Sequence, residues 1–225
     1  MDYLSLITTP IEEELRDLRK ILDKSFENSS PALQKVLSYI HARNGKMMRP
    51  ILVLLVSKSF HTVNYSTLNS AATIELLHTA SLVHDDVVDE SLERRGQASA
   101  NAIYNNKVSI LIGDYLLSTS LQHASHTSDI RIISKVSELG KTLASGEIIQ
   151  LSAVNEQRIS EEIYFEIISK KTAILFATCA EIGAISAGAP ENLIDTARLF
   201  GHYLGICFQI KDDIFDYFTN ADIGK

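Results

Sequence analysis

Glycine and proline are scarce in this chain, ten and four among 225 residues. A β-sandwich of this length needs turn residues at every hairpin, so their scarcity argues against an all-β fold. Only two cysteines are present, Cys179 and Cys207. They exclude a disulfide framework and suit a reducing compartment. Cys207, between Ile206 and Phe208, reads as a small core residue. Basic charge is not in excess either. The formal net charge of −7 excludes a generally nucleic-acid-binding surface, while leaving room for a local basic pocket. The longest apolar stretches, 51–56 and 108–117, are too short to span a bilayer, and the second holds Asp114. The start, Met1-Asp2-Tyr3-Leu4, lacks the basic region of a secretory signal. A soluble, cytoplasmic protein without an integral membrane segment is expected.

What is present is an ordinary globular composition, 45% apolar and 22% charged, with helical periodicity along most of its length. Ile11, Leu15, Leu18, Ile21 and Leu22 fall on one helical face, with Glu12, Glu13, Glu14, Arg16, Asp17 and Arg19 on the other. Pro31 fits a helix start, and Pro50 opens a very apolar segment after the break at Asn44-Gly45. Further helices read over 66–90, 109–124, 129–152, 160–187 and 193–218. Strand-like alternation is nowhere sustained. The pattern predicts one all-α domain over 1–225, with about eight helices.

Two acidic motifs echo each other: His84-Asp85-Asp86-Val87-Val88-Asp89 and Lys211-Asp212-Asp213-Ile214-Phe215-Asp216. Each follows an apolar helical run. Positions i and i+4 share a helix face, so Asp85 projects with Asp89, with Asp86 beside them, and Asp212 with Asp216 and Asp213 repeats the pattern. Carboxylates this close repel unless cations sit between them. Oxygen ligands without His or Cys suit Mg²⁺, which takes one or two carboxylates plus substrate phosphates. The bland alternative is a solvated acidic helix end, which two copies beside apolar neighbours make harder to sustain. The complementary cations are Lys46 and Arg49 at a turn before an apolar helix, Arg94-Arg95-Gly96 after the first motif, and Lys171-Thr172 in an apolar stretch; His78 lies two turns before Asp85. Taken together, these residues describe a site for two diphosphates, one metal-bridged and one held by cations.

These motifs, with Glu75-Leu76-Leu77-His78, Gly146-Glu147 and Phe208-Gln209-Ile210 in the same order, resemble the trans-isoprenyl diphosphate synthases, or polyprenyl synthetases, from Leu33 to Lys225. The resemblance implies an isoprenoid-synthase-type helical bundle around a central cavity. It also implies that Lys46, Arg49, His78 and Arg95 hold the diphosphate of isopentenyl diphosphate. Asp85, Asp86, Asp89, Asp212, Asp213 and Asp216 would bind Mg²⁺ at an allylic diphosphate such as farnesyl diphosphate, which Arg94, Lys171 and Lys225 would also contact. Thr172 and Gln209 would lie near the developing allylic cation. Catalysis would then rest on Asp85, Asp86, Asp89, Lys171, Thr172, Gln209 and Asp212, in a homodimer with 109–124 as an interface candidate. Family members continue well past Lys225, so closing C-terminal helices are expected to be missing from this chain.

The resemblance suggests that Ser81 and Ala80, four and five positions before Asp85, stand where short-chain relatives carry an aromatic floor; the alternative is that small residues there simply allow close helix packing. On the first reading the hydrocarbon path would reach Leu77 and Ile74, giving a long-chain product of the heptaprenyl-to-octaprenyl type. A short-chain farnesyl or geranylgeranyl synthase and a non-catalytic subunit of a heteromeric prenyltransferase stand as alternatives. A terpene cyclase would not need Lys46, Arg49 and Arg95. A metal phosphohydrolase using His84-Asp85 and His78 leaves the second acidic motif unexplained.

Overall fold

A computed structural model describes residues 3–43, 45–94, 96–156 and 160–217. The helices follow the apolar periodicity. A short α1 (Tyr3–Thr8) leads through a 3₁₀ turn into α2 (Glu12–Ser25). There Glu12, Glu13 and Glu14 complement the N-terminal dipole, Lys24 the C-terminal one, and Leu15, Leu18 and Leu22 form the buried stripe. Pro31 opens α3 (Pro31–His41) at a position whose N–H has no helical partner anyway. The next helix, α4 (Met48–Phe60), begins two residues earlier than Pro50 suggests, because Met47 adopts a left-handed conformation (φ 53°, ψ 33°) and turns the chain there.

At the centre lies α5 (Tyr65–Val88), started by Asn64, whose side-chain oxygen accepts from the Thr67 N–H at 2.9 Å. It is buried all round from Asn69 to Leu77, as a helix enclosed by others must be. A two-residue hairpin, β1 (Glu93–Arg94) with β2 (Gln97–Ala98), and α6 (Ala100–Tyr104) follow. Along one side of α5 runs α7 (Asn106–His126); α4 and α10 (Ile174–Ser186) close other sides. Asp129 caps α8 (Ile130–Asn155), and Ser160 caps α9 (Glu161–Ile168). α11 (Glu191–Tyr217) starts directly after Pro190 and packs along α10. A single apolar core joins Leu18, Leu37, Leu54, Ile74, Leu116 and Ile182. The expected all-α fold is what these elements form.

Two further details differ from the sequence reading. The segment expected as one helix over 160–187 contains a π-helical turn, Ser169–Ala173, between α9 and α10. Cys207 is exposed rather than in the core. α11 meets the π turn and α10 through Gly201 and Gly205, and a residue two positions beyond Gly205 lies about 200° around the helix, away from that contact. That outer face also carries exposed Phe200, Tyr203, Leu204 and Phe208.

Candidate active site

The first acidic motif sits at the end of α5. Asp85 lies in its last turn, and the Asp89 N–H closes that turn on the Asp85 carbonyl at 2.8 Å. Burial holds the Asp85 carboxyl above the usual carboxylate range, against the pull of Lys171; Glu147 and Asp89 reinforce the rise and Arg94 opposes it. Asp86, one position on and about 100° around the helix, faces inward rather than beside Asp85. It is 4% exposed, and Arg94 Nε donates to its Oδ1 at 2.7 Å. Arg94 is held above it by the hairpin. Gly96 makes the turn at φ +70°. Tyr39 donates its hydroxyl to the Ala98 carbonyl at 2.7 Å, and Arg43 Nε donates to Gln97 Oε1 at 2.7 Å. His84 turns to α7, its Nε2 lying 3.2 Å from the Ile110 carbonyl and 3.4 Å from Asp114.

The π-helical turn brings the rest together. An extra residue per turn shifts the register of the helix it interrupts, a device common at functional sites. Lys171 and Thr172 both stand on it and reach in different directions. Lys171 Nζ contacts Glu147 Oε2 at 2.7 Å and Gln150 Oε1 at 3.1 Å, on α8. The Thr172 hydroxyl donates to Gln209 Oε1 at 2.6 Å, on α11. The Gln209 amide in turn donates to Asp213 Oδ1 at 2.8 Å, and the Tyr164 hydroxyl donates to Asp213 Oδ2 at 2.6 Å. Burial, with the Asp213 charge and hydrogen bond, pushes the Tyr164 hydroxyl up to about 12. One residue thus faces the electrostatic surroundings of Asp85, and the next faces the second acidic motif.

The other expected residues are more scattered. Arg49, at the start of α4, lies with its guanidinium carbon 5.6 Å from the centre of the Phe176 ring. Burial pushes the nearby Cys179 thiol up to about 12, with Arg49 opposing the rise and Glu75 adding to it. Lys46 borders a different cavity of about 530 Å³, which it shares with Arg16, Arg19, Met47 and Ile51. His78 is half-buried on α5; Asp212 is half-buried and Asp216 exposed on α11. Ala80 and Leu77 are buried, and the half-buried Ser81 donates its hydroxyl to the His78 carbonyl at 2.9 Å. Arg95 and Lys225 lie outside the described residues. Sequence reasoning gave no role to Tyr164, Glu147 or Gln150. Gly146-Glu147 stood among the matching motifs, but its partner is set only by how α8 meets the π turn.

The donor set suits a hard divalent cation. Asp85 is a half-buried carboxylate whose burial disfavours its charge, and Glu147 Oε1 is buried without a hydrogen-bond partner. Among the described residues, no three acidic, imidazole or thiol groups converge to hold an ion unaided. Such an arrangement fits a cation that takes few protein carboxylates and completes its shell with other oxygen donors.

A family model described as polyprenyl synthetase matches residues 30–225. The chain is 38% identical over 196 residues to the octaprenyl diphosphate synthase of Haemophilus influenzae, covering 87% of this chain and 60% of that protein. The crystal structure of geranylgeranyl pyrophosphate synthase from Bacteroides thetaiotaomicron is 52% identical, with a TM-score of 0.83 over 98% of this chain and 67% of that one. A decaprenyl diphosphate synthase structure from Rhodobacter capsulatus is 35% identical, with a TM-score of 0.92 over 99% of this chain and 69% of that one.

Proposed function

Since the chain belongs to the polyprenyl synthetase family, we propose that it takes part in the Mg²⁺-dependent head-to-tail condensation of isopentenyl diphosphate with an allylic diphosphate. The observation that carries this reading is the placement of Lys171 and Thr172, consecutive residues turned toward the two acidic motifs. Asp85, Asp89, Asp212, Asp213 and Asp216 would hold Mg²⁺, which when bound stabilises the negative charge of a departing diphosphate. Asp86 is committed to Arg94, whose guanidinium keeps further donors for phosphate oxygens. Lys171 supplies a second fixed cation on the same side. Lys46, Arg49, His78 and Arg95 are assigned to isopentenyl diphosphate, and Lys225 to the allylic substrate. Charge held in place beforehand lowers the barrier to ionisation without reorganisation at the moment of reaction. The isopentenyl double bond then attacks the allylic cation and a proton is lost, so no protein nucleophile is required. Surrounding apolar helices exclude water that would capture the cation.

Small Ser81 and Ala80 support a long-chain product, as do relatives named octaprenyl and decaprenyl synthases. A C20 product is the second reading, favoured by the name of the Bacteroides structure at 52% identity. The exposed apolar side of α7, with Ile110, Leu111, Leu117 and Leu121, suits the interface of a homodimer. Among the described residues no helix is long and apolar enough to cross a membrane. Incubation with Mg²⁺, labelled isopentenyl diphosphate and farnesyl diphosphate, followed by product sizing, tests the whole reading. Products beyond C20 support a long-chain synthase. No incorporation of label refutes the assignment.

A further inference from the structure

We propose that Tyr164 is a positioning residue of the second acidic motif, fixing the Asp213 carboxylate in the orientation that receives the cation. This rests on reading the two acidic motifs as the metal-binding half of the site. Two side chains donate to Asp213, one from α9 and one from its own helix. Its Oδ2 accepts from the Tyr164 hydroxyl of α9 at 2.6 Å, and its Oδ1 accepts from the Gln209 amide one turn away at 2.8 Å. Gln209 is itself oriented by the Thr172 hydroxyl of the π turn at 2.6 Å. Hydrogen-bond polarity runs one way along this chain, from Thr172 to Gln209 to Asp213, and from Tyr164 to Asp213. With Thr172 bound at its carbonyl oxygen, Gln209 presents its amide donors toward Asp213.

A carboxylate with one donor on each oxygen cannot rotate about its Cβ–Cγ bond without breaking a contact. Each oxygen nevertheless keeps a lone pair for a cation. The same middle position of the first motif, Asp86, is also held by the protein, through Arg94. Tyr164 differs from these partners in having no other visible task. Its ring stands edge-on to Phe165 at 5.4 Å and remains partly exposed, so little of the core depends on its hydroxyl. A tyrosine of this kind acts through the group it holds, and loss of the hydroxyl should be felt as a weaker hold on the cation.

The test is calorimetric titration of Mg²⁺ into the protein in the presence of inorganic diphosphate, for wild type, Tyr164→Phe, Asp213→Ala and the double variant. Tyr164→Phe should weaken Mg²⁺ binding about tenfold, the scale of one hydrogen bond to a charged group. Its affinity for isopentenyl diphosphate should stay unchanged. In the Asp213→Ala background the same substitution should add nothing. Unchanged Mg²⁺ binding in Tyr164→Phe, or an equal loss with Asp213 absent, overturns the positioning role while leaving the prenyltransferase reading intact. A wild-type protein that binds no Mg²⁺ with diphosphate overturns both.

Discussion

Gly205 sets how closely α11 approaches the π turn, and Gly205→Ala should therefore damage the site from outside it. A Cβ built at this position lies 2.6 Å from the Ala173 Cα and 3.2 Å from its Cβ, with the Phe176 Cβ at 3.1 Å. The Ala173 backbone cannot rotate away as a flexible side chain would. Restoring ordinary carbon contacts requires the helices to part by about 1 Å. Parting of that size takes the 2.6 Å Thr172–Gln209 bond to about 3.6 Å, where it no longer counts as a hydrogen bond. Overpacking costs about 1–3 kcal/mol, offset by about 1 kcal/mol from the better helix propensity of alanine. At its upper end the net loss of about 2 kcal/mol lowers the melting temperature by about 4–8 °C for a chain of this size.

Gly140 supplies the control, because it lies within α8 and a Cβ there meets nothing within 4 Å. Gly140→Ala should gain the propensity term alone and melt about 2–4 °C higher. Circular-dichroism melting of both variants without metal, with Mg²⁺ titration in parallel, checks the pair. If Gly205→Ala melts as high as Gly140→Ala and keeps the wild-type Mg²⁺ requirement, the close approach does not position Thr172 and Gln209.

Three further outcomes are expected. Because burial raises the folded pKa of Asp85, its ionised form disfavours folding, and stability falls as pH rises from the ordinary value of 3.8 through the raised one. Asp85→Asn should therefore raise the metal-free melting temperature at neutral pH while lowering turnover by orders of magnitude; a lower melting temperature or near-normal turnover would sink the assignment. Lys46→Ala and Arg49→Ala should chiefly raise the KM for isopentenyl diphosphate, and Lys171→Ala that for the allylic substrate, each by about ten- to a hundredfold. Steady-state kinetics in which Lys46→Ala affects only the allylic KM would reverse the two sites. Ala80→Phe should shorten the product, measured by chromatographic sizing, and the buried position means it also costs about 1–3 kcal/mol of stability. An unchanged product length, or a wild-type product no longer than C20, would overturn the chain-length reading.

The fold class was legible because amphipathic stripes such as Leu15, Leu18 and Leu22 report a helix face directly. Other features depend on neighbours that a one-dimensional pattern does not contain. Ser169-Lys170-Lys171-Thr172-Ala173 has no glycine or proline to announce a π turn, and the turn packs against α8 and α11. Cys207 was misplaced because α11 is apolar on its exposed face as well as its buried one, so periodicity alone could not choose between them.

The site shows the same division. Asp85 and Asp212 were visible because a short acidic pattern repeats after two apolar helices, and Lys171-Thr172 because it interrupts an apolar run. Their partners were not visible, since Glu147 and Tyr164 earn a role only when α8 and α9 are folded against the residues they touch. Asp86 illustrates the difference most clearly. Spacing placed it beside Asp85, yet a single step around the helix turns it into the fold, where an unpaired carboxylate would be costly. The protein meets that cost with Arg94, and it can do so only because a hairpin pinned by Tyr39 and Arg43 delivers the guanidinium to that point.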